Sequence, residues 1–398
     1  MATEAPHRIF FQCVYNCACK QKFLFVLMMF TVVIIVINLT SLKYTPLMVY
    51  QRVFSSKTMN SSADGSPVEQ DNPPAEQDNP PVEQDNPRGE QPTFYSPKCI
   101  YPGICRVPTK NKTVYFNYTR SPTFYEKLNE TVDFNRSTTH KESVVPNIVH
   151  VTWYGGPKRN TFLFHHLISL LSVRTVLKPT RILFWCDLIP EGTYYEQTME
   201  RVPEIVHVVR NPPTEIMGRT IKVPEHQSDI VRLEAILEYG GIYVDLDVIA
   251  VKSFKPLFHF DVTMGYETPD GLCNGIMVAR PWADFMKIWY KEYKTFDDKV
   301  WGYHSVQLPA KLAHKYPNLI HTEATSMNHP NPGESFALQY GAKPFDWQNK
   351  NYAVHTWIRT QLIAHKLNAL SIRTWDCAAG EMFRYFYFGD KALIPPID

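Results

Sequence analysis

Residues 226–254 read HQSDIVRLEAILEYGGIYVDLDVIAVKSF, and the rest of the chain is organised around them. Ile230, Leu233, Ile236 and Leu237 recur at spacings of three and four, which predicts an amphipathic helix. Gly240 and Gly241 stop it, because glycine takes a left-handed C-terminal position without a Cβ clash. Ile242, Tyr243 and Val244 then form an apolar, β-rich run suited to a buried central strand. Asp245 and Asp247 stand two apart, so on a continuing strand both carboxylates point to one side and Leu246 to the other. Two adjacent carboxylates repel unless a cation lies between them, and oxygen ligands suit Mn²⁺ or Mg²⁺. A lone D-x-D is more often a solvated strand end, so its context decides.

That context is S-D-x-x-R (Ser228, Asp229, Arg232), seven residues, then G-G-I-Y-x-D-x-D. The pattern resembles the glycosyltransferase family whose sugar-binding region carries a DXD motif, which includes α-1,4-galactosyl-, α-1,4-N-acetylglucosaminyl- and Och-type mannosyltransferases. The resemblance covers roughly residues 145–360. It implies an α/β fold of the GT-A type: an open, mostly parallel sheet with helices on both faces, and retention at the anomeric carbon. It also implies that Asp247 binds metal directly, and that Asp245 reaches it through water or contacts the donor. Asp229 and Arg232 would bond the sugar hydroxyls, chemistry suited to a carboxylate and a planar guanidinium. Trp153, in a segment resembling the family's opening I-P-x-I-I-H-x-x-W, would stack on the nucleotide base; its alternative is a place in the core. Asn274, in an N-G-x-M segment, would bond the sugar or simply serve a turn. His355, in Y-A-V-H-T-W, resembles the family's late H-x-W and would be the third metal ligand. Tyr303 to Val306 departs from the family's G-P-x-x-x-T/L segment, so acceptor contacts are not assigned there.

The 398 residues carry 41 Lys plus Arg against 39 Asp plus Glu, a balance that gives no case for nucleic acid as partner. Residues 23–42, FLFVLMMFTVVIIVINLTSL, hold no charge and at about 1.5 Å per residue reach across roughly 30 Å of bilayer. No A-x-A-like cleavage site comes after it, so the segment reads as a retained signal anchor behind a cytosolic tail at 1–22. Sequons at Asn60, Asn111, Asn117, Asn129 and Asn135 place the chain beyond the span in the lumen; the one at Asn38 lies inside the span. Cys13, Cys17 and Cys19 of the tail are either S-acylated or plain thiols. Cys99 and Cys105 are the obvious local pair among five lumenal cysteines, with Cys186, Cys273 and Cys377 unassigned. Residues 43–97 read as a stem. Its heptads PVEQDNP, PAEQDNP and PVEQDNP are proline-rich, acidic and nearly devoid of large apolar residues, so they bury no core.

Residues 98–143 read as a glycosylated transition, and 144–398 as the transferase domain. Within it, strands are expected at 148–153, 181–187 and 205–209, with a packing helix over 162–176. The order strand, helix, strand argues parallel layering. Together these readings describe a single-pass type II Golgi enzyme, metal-dependent, that moves a hexose from a nucleotide sugar to a glycan acceptor on glycolipid or glycoprotein. UDP-galactose or UDP-N-acetylglucosamine is the expected donor. The alternatives are a GDP-mannose-using enzyme of the same fold and a non-catalytic lumenal protein that binds sugar nucleotides or glycans.

Overall fold

The computed structural model describes residues 99–107, 115–156, 160–341 and 345–395, all within one compact unit, Gln91–Asp398. The expected membrane span, the tail cysteines, the stem, Asn60 and Asn111 lie outside the described residues. Among the described residues no helix is long and apolar enough to cross a membrane.

Among those residues fourteen strands form: β1 (Cys99–Tyr101), β2 (Ile104–Val107), β3 (Tyr115–Tyr118), β4 (Ile148–Trp153), β5 (Arg181–Cys186), β6 (Ile205–Val209), β7 (Glu215–Ile216), β8 (Arg219–Thr220), β9 (Gly241–Val244), β10 (Val248–Ala250), β11 (Val262–Thr268), β12 (Gly271–Ala279), β13 (His321–Glu323) and β14 (Ala353–His355). Ten of them make one open sheet in the order β1-β2-β3-β6-β5-β4-β9-β12-β11-β13. Its centre, from β3 through β6, β5 and β4 to β9, is parallel. Antiparallel pairs flank that centre on both sides, β1-β2-β3 at one end and β9-β12-β11 at the other. The sheet is therefore more mixed than expected: five parallel and four antiparallel pairings, because antiparallel strands extend a parallel core on both sides.

The helices are α1 (Phe124–Asn129), α2 (Phe164–Ser172), α3 (Thr193–Arg201), α4 (Pro224–Tyr239), α5 (Asp284–Glu292), α6 (Leu308–Lys315), α7 (Ser335–Tyr340), α8 (Trp347–Lys350) and α9 (Ala378–Phe388). They cover both faces, and the strand period of two decides which residue meets which layer. Ile242 and Val244 of β9, with Ile182 and Phe184 of β5, join the core under α2 and α9. Tyr243 joins the core under α4, α5 and α6, while Leu183 and Trp185 pack on Val231, Ala235 and Tyr239 of α4.

Helix α4 ends as its sequence dictates: Gly240 has φ of +63° and Gly241 +98°. A Cβ on Gly241 would come within 2.6 Å of the Ile148 carbonyl oxygen, so glycine also lets β9 lie against β4.

The sheet takes in residues upstream of Val144. Cys99 and Cys105 are disulfide-bonded and face each other across β1 and β2. β3 pairs with β6, and Phe116 and Ile104 are buried against Leu183 and Trp185. Asn117, Asn129 and Asn135 are exposed.

Candidate active site

Strands β4, β5 and β6 step outward in one direction, and the chain then returns to place β9 on the other side of β4. This reversal is a topological switch point, where α/β sheets bind ligands beyond the carboxyl ends of their strands. Trp153 ends β4 and Asp245 comes directly after β9, so both lie at that crevice.

Asp245, Leu246 and Asp247 are not on a strand. β9 stops at Val244, and a turn closed by the Val248 N–H to Asp245 O bond (3.0 Å) carries the three residues. The Asp245 N–H donates to Gly275 O at 2.8 Å, which holds the turn against β12. Leu246 enters the core, so the two acids still share the site, through a turn rather than through strand alternation.

Strand β10 pairs with β14 in a register that sets Val248 opposite His355. The imidazole thereby meets Asp247, with Nε2 3.0 Å from Oδ1. One donor atom from each of Asp245, Asp247 and His355 lies within 4.8 Å of the others. Asp247 is only 3% exposed, yet its Oδ2 has no hydrogen-bond partner. A buried carboxylate oxygen without a hydrogen bond is costly, and a divalent cation would satisfy it. The donor set fits: two carboxylates and one imidazole suit Mn²⁺ or Mg²⁺. Burial alone would raise the Asp247 pKa, but His355 and then Arg359 outweigh it and hold the carboxyl well below its usual range. Burial would likewise lower the His355 pKa, and Asp247 outweighs it in the other direction. A cation bound here would displace the imidazole proton.

Gly275 leaves room for this arrangement. A Cβ there would stand 2.9 Å from Asp245 Oδ2 and 3.0 Å from His355 Cε1. Gly275→Ala is therefore expected to weaken Mn²⁺ binding about tenfold, as displaced ligand supports do. Titration calorimetry checks this, with the circular dichroism spectrum unchanged.

Asp229, Arg232, Asn274 and Asp245 form the second cluster. Arg232 Nη1 lies 3.1 Å from Asp245 Oδ1 and donates to Asn274 Oδ1 at 3.3 Å; its Nη2 donates to Ser228 Oγ at 3.2 Å. Its Nε stands 3.6 Å from Asp229 Oδ1, an ion pair that leaves this buried N–H without a hydrogen bond. Asn274 Nδ2 donates to Asp229 Oδ1 at 2.7 Å, from the middle of β12 rather than from a turn. Burial raises the Asp229 pKa, although Arg232 opposes it.

Trp153 is half-buried. Its indole N–H donates to Asn160 Oδ1 at 3.2 Å, and its ring lies 5.4 Å from Phe162 and 5.1 Å from His166. Tyr303–Gln307 forms a π-helical turn in which His304 is buried and its carbonyl accepts the Trp289 indole N–H at 2.7 Å.

Three site residues carry no role in the sequence reading. Tyr243 donates to Asp245 Oδ1 at 2.6 Å, lies under the Arg232 guanidinium at 4.6 Å, and contacts Thr152 Oγ1 at 2.8 Å. Its period-two opposition to Ile242 and Val244 is the signal that places it on the α4 side. Cys273 Sγ lies 3.6 Å from His355 Nδ1, on the ring edge away from Asp247. Trp357 stacks on His355 at 3.7 Å, and its indole N–H is buried without a hydrogen bond.

Residues 181–263 match the family model described as "Glycosyltransferase sugar-binding region containing DXD motif". Glucan organizing enzyme 1 of Cryptococcus neoformans is 28% identical over 269 residues, 62% of this chain and 72% of that protein. Mannosyl phosphorylinositol ceramide synthase of Saccharomyces cerevisiae is 24% identical over 169 residues, 42% of this chain and 40% of that protein. A solved galactosyltransferase with donor and acceptor sugar analogues aligns at TM-score 0.32 and 14% identity, covering 62% of this chain and 97% of its own.

Proposed function

We propose that this chain, a glycosyltransferase carrying the DXD-type sugar-binding region, uses a divalent cation to transfer a hexose from a nucleotide sugar to a glycan acceptor. The observation that carries the metal reading is the buried Oδ2 of Asp247, without a hydrogen bond, beside Asp245 and His355. Asp247 and His355 would hold the cation, with Asp245 beside them. A cation bound there would supply stabilisation for charge developing on the departing nucleotide diphosphate. Asp229, Arg232 and Asn274 bond the sugar hydroxyls, and their mutual hydrogen bonds fix that fork before the donor arrives. Trp153, at the carboxyl end of β4, meets the base. Exposed sequons at Asn117, Asn129 and Asn135 and the Cys99–Cys105 disulfide support a lumenal, Golgi-type setting behind the anchor at 23–42.

A UDP-hexose remains the donor favoured by the H-x-W resemblance. GDP-mannose is the second reading, favoured by the relative named as a mannosyl phosphorylinositol ceramide synthase. The test is release of nucleotide by the full chain with Mn²⁺ and each of UDP-galactose, UDP-N-acetylglucosamine and GDP-mannose. Slow hydrolysis of one of them, abolished by a chelator, is the expected result. Binding without release, even with pooled glycans, favours the non-catalytic alternative, and absence of metal-dependent binding overturns the proposal.

A further inference from the structure

We propose that Cys273 is a positioning residue for the metal site: its sulfur orients His355 directly and Asp245 through Gly275, so that these two ligands are set relative to each other in advance. This role rests on the metal reading above and adds to it a residue outside the ligand set.

An imidazole that binds a cation through Nε2 must keep its proton on Nδ1, and a buried N–H needs an acceptor. His355 is 2% exposed, and its Nε2 faces Asp247 Oδ1 at 3.0 Å, so Nδ1 points the other way. The atom that meets it there is Cys273 Sγ, at 3.6 Å, on a side chain that is itself buried. Trp357, stacked on the ring at 3.7 Å, fixes the plane of the imidazole but not its rotation within that plane. The contacts at the two nitrogens fix the rotation. The sulfur sits on the ring edge away from Asp247, so it supports the ligands and is not one of them.

The same sulfur reaches a second ligand. The Gly275 N–H donates to Cys273 Sγ at 3.4 Å, and Gly275 O accepts the Asp245 N–H at 2.8 Å. Cys273 and Gly275 stand two apart on β12 and share one face of it, while Asn274 between them turns to Asp229. A Cβ on Gly275 would come within 3.2 Å of the sulfur, so glycine there leaves the thiol room beside the imidazole. The Glu267 carboxyl takes the S–H, which frees the sulfur lone pairs to accept from Gly275 and His355. Sulfur is a weak acceptor, so the thiol orients the imidazole without raising its basicity as a carboxylate partner would.

The test compares Cys273→Ala and Cys273→Ser with the parent, all as the full chain. Calorimetric titration is expected to show Mn²⁺ bound about tenfold more weakly by the Ala variant. The Ser variant should stay within about threefold of the parent, because its hydroxyl restores both an acceptor and a donor. With Mg²⁺ bound, ¹⁵N-histidine NMR should show a slowly exchanging His355 Nδ1–H in the parent and the Ser variant, and a rapidly exchanging one in the Ala variant. Lost packing alone would weaken both variants alike, since both lack the sulfur. The proposal is overturned by an Ala variant within about twofold of the parent in Mn²⁺ affinity, by a Ser variant as weak as Ala, or by an Nδ1–H unchanged in the Ala variant. In those three cases the parent still binds Mn²⁺ and the metal reading stands. A parent that binds no Mn²⁺ removes that reading, and this role with it.

Discussion

Asp247→Asn is expected to lower donor turnover by on the order of a thousandfold while the protein stays folded. The substitution keeps the shape of the side chain and removes the charge from a buried site oxygen that no hydrogen bond satisfies. A divalent cation left with one carboxylate and a histidine would bind far less tightly, and charge on a leaving diphosphate would go unstabilised. Stability obeys a different rule. The Asp247 pKa is held low, so its contribution is present above about pH 3.9 and is lost as pH falls through the folded value. The His355 pKa is raised, so its contribution is present below about pH 6.5 and is lost as pH rises through its folded value. The pair therefore stabilises most in the window between those values, and well above it the variant should melt close to the parent. Nucleotide release and calorimetric Mn²⁺ titration at mildly alkaline pH, with a thermal melt on the same sample, check both halves. Turnover within tenfold of the parent would remove Asp247 from the metal site.

The stretch 226–254 made the site legible because local and global signals agree there. The helical period, the paired glycines and the apolar run each specify one element, and their order puts the acids at the end of a central strand. What it could not specify is where β9 stops. Strand and turn both place Asp245 and Asp247 on one side of Leu246, and only the turn bond from the Val248 N–H to the Asp245 carbonyl decides between them. His355 lies 108 residues from Asp247, and its place depends on the register of β10 with β14. No local pattern encodes that pairing; the resemblance did. The mixed character of the sheet was hidden for a related reason: β1 to β3 are short and lie among sequons, so their composition reads as surface. Their burial comes from Phe116 and Ile104, with Ile100, Tyr101 and Tyr118 packed beside them, against residues such as Leu183 and Trp185 that are far away in sequence.

Glu234 carries the second large prediction. It stands four residues after Ile230 and three before Leu237 on α4, and in the structure it is 1% exposed. Its Oε1 accepts from Arg120 and from Tyr290 Oη (2.6 Å), and its Oε2 accepts from Arg210. Arg210 is itself buried, lies 4.6 Å from the Tyr118 ring centroid, and has its Nη1 without a hydrogen bond. Replacing the carboxylate leaves that guanidinium desolvated and unpaired, so Glu234→Gln is expected to cost about 3–5 kcal/mol. For a domain of this size that corresponds to a melting point lower by roughly 10 °C. Arg120 is one-third exposed and can turn to solvent, so Arg120→Ala should cost much less, about 1 kcal/mol. The pH dependence has a definite sign. Burial opposes ionisation of Glu234, but Arg210 and then Arg120 outweigh it and depress its pKa. Its contribution is thus present above about pH 4.3 and is lost as pH falls through the folded value, and the Gln variant should flatten that limb of the melting curve. Arg120 and Tyr118 belong to the segment that joins the sheet ahead of β4, while Arg210 comes just after β6 and Tyr290 lies on α5. A melt that falls as stated, with Mn²⁺ affinity at low temperature unchanged, would mean that this carboxylate fastens the upstream strands to the scaffold without shaping the metal site. A melt unchanged by Glu234→Gln would mean that the two arginines find other partners and that the fold does not depend on the network.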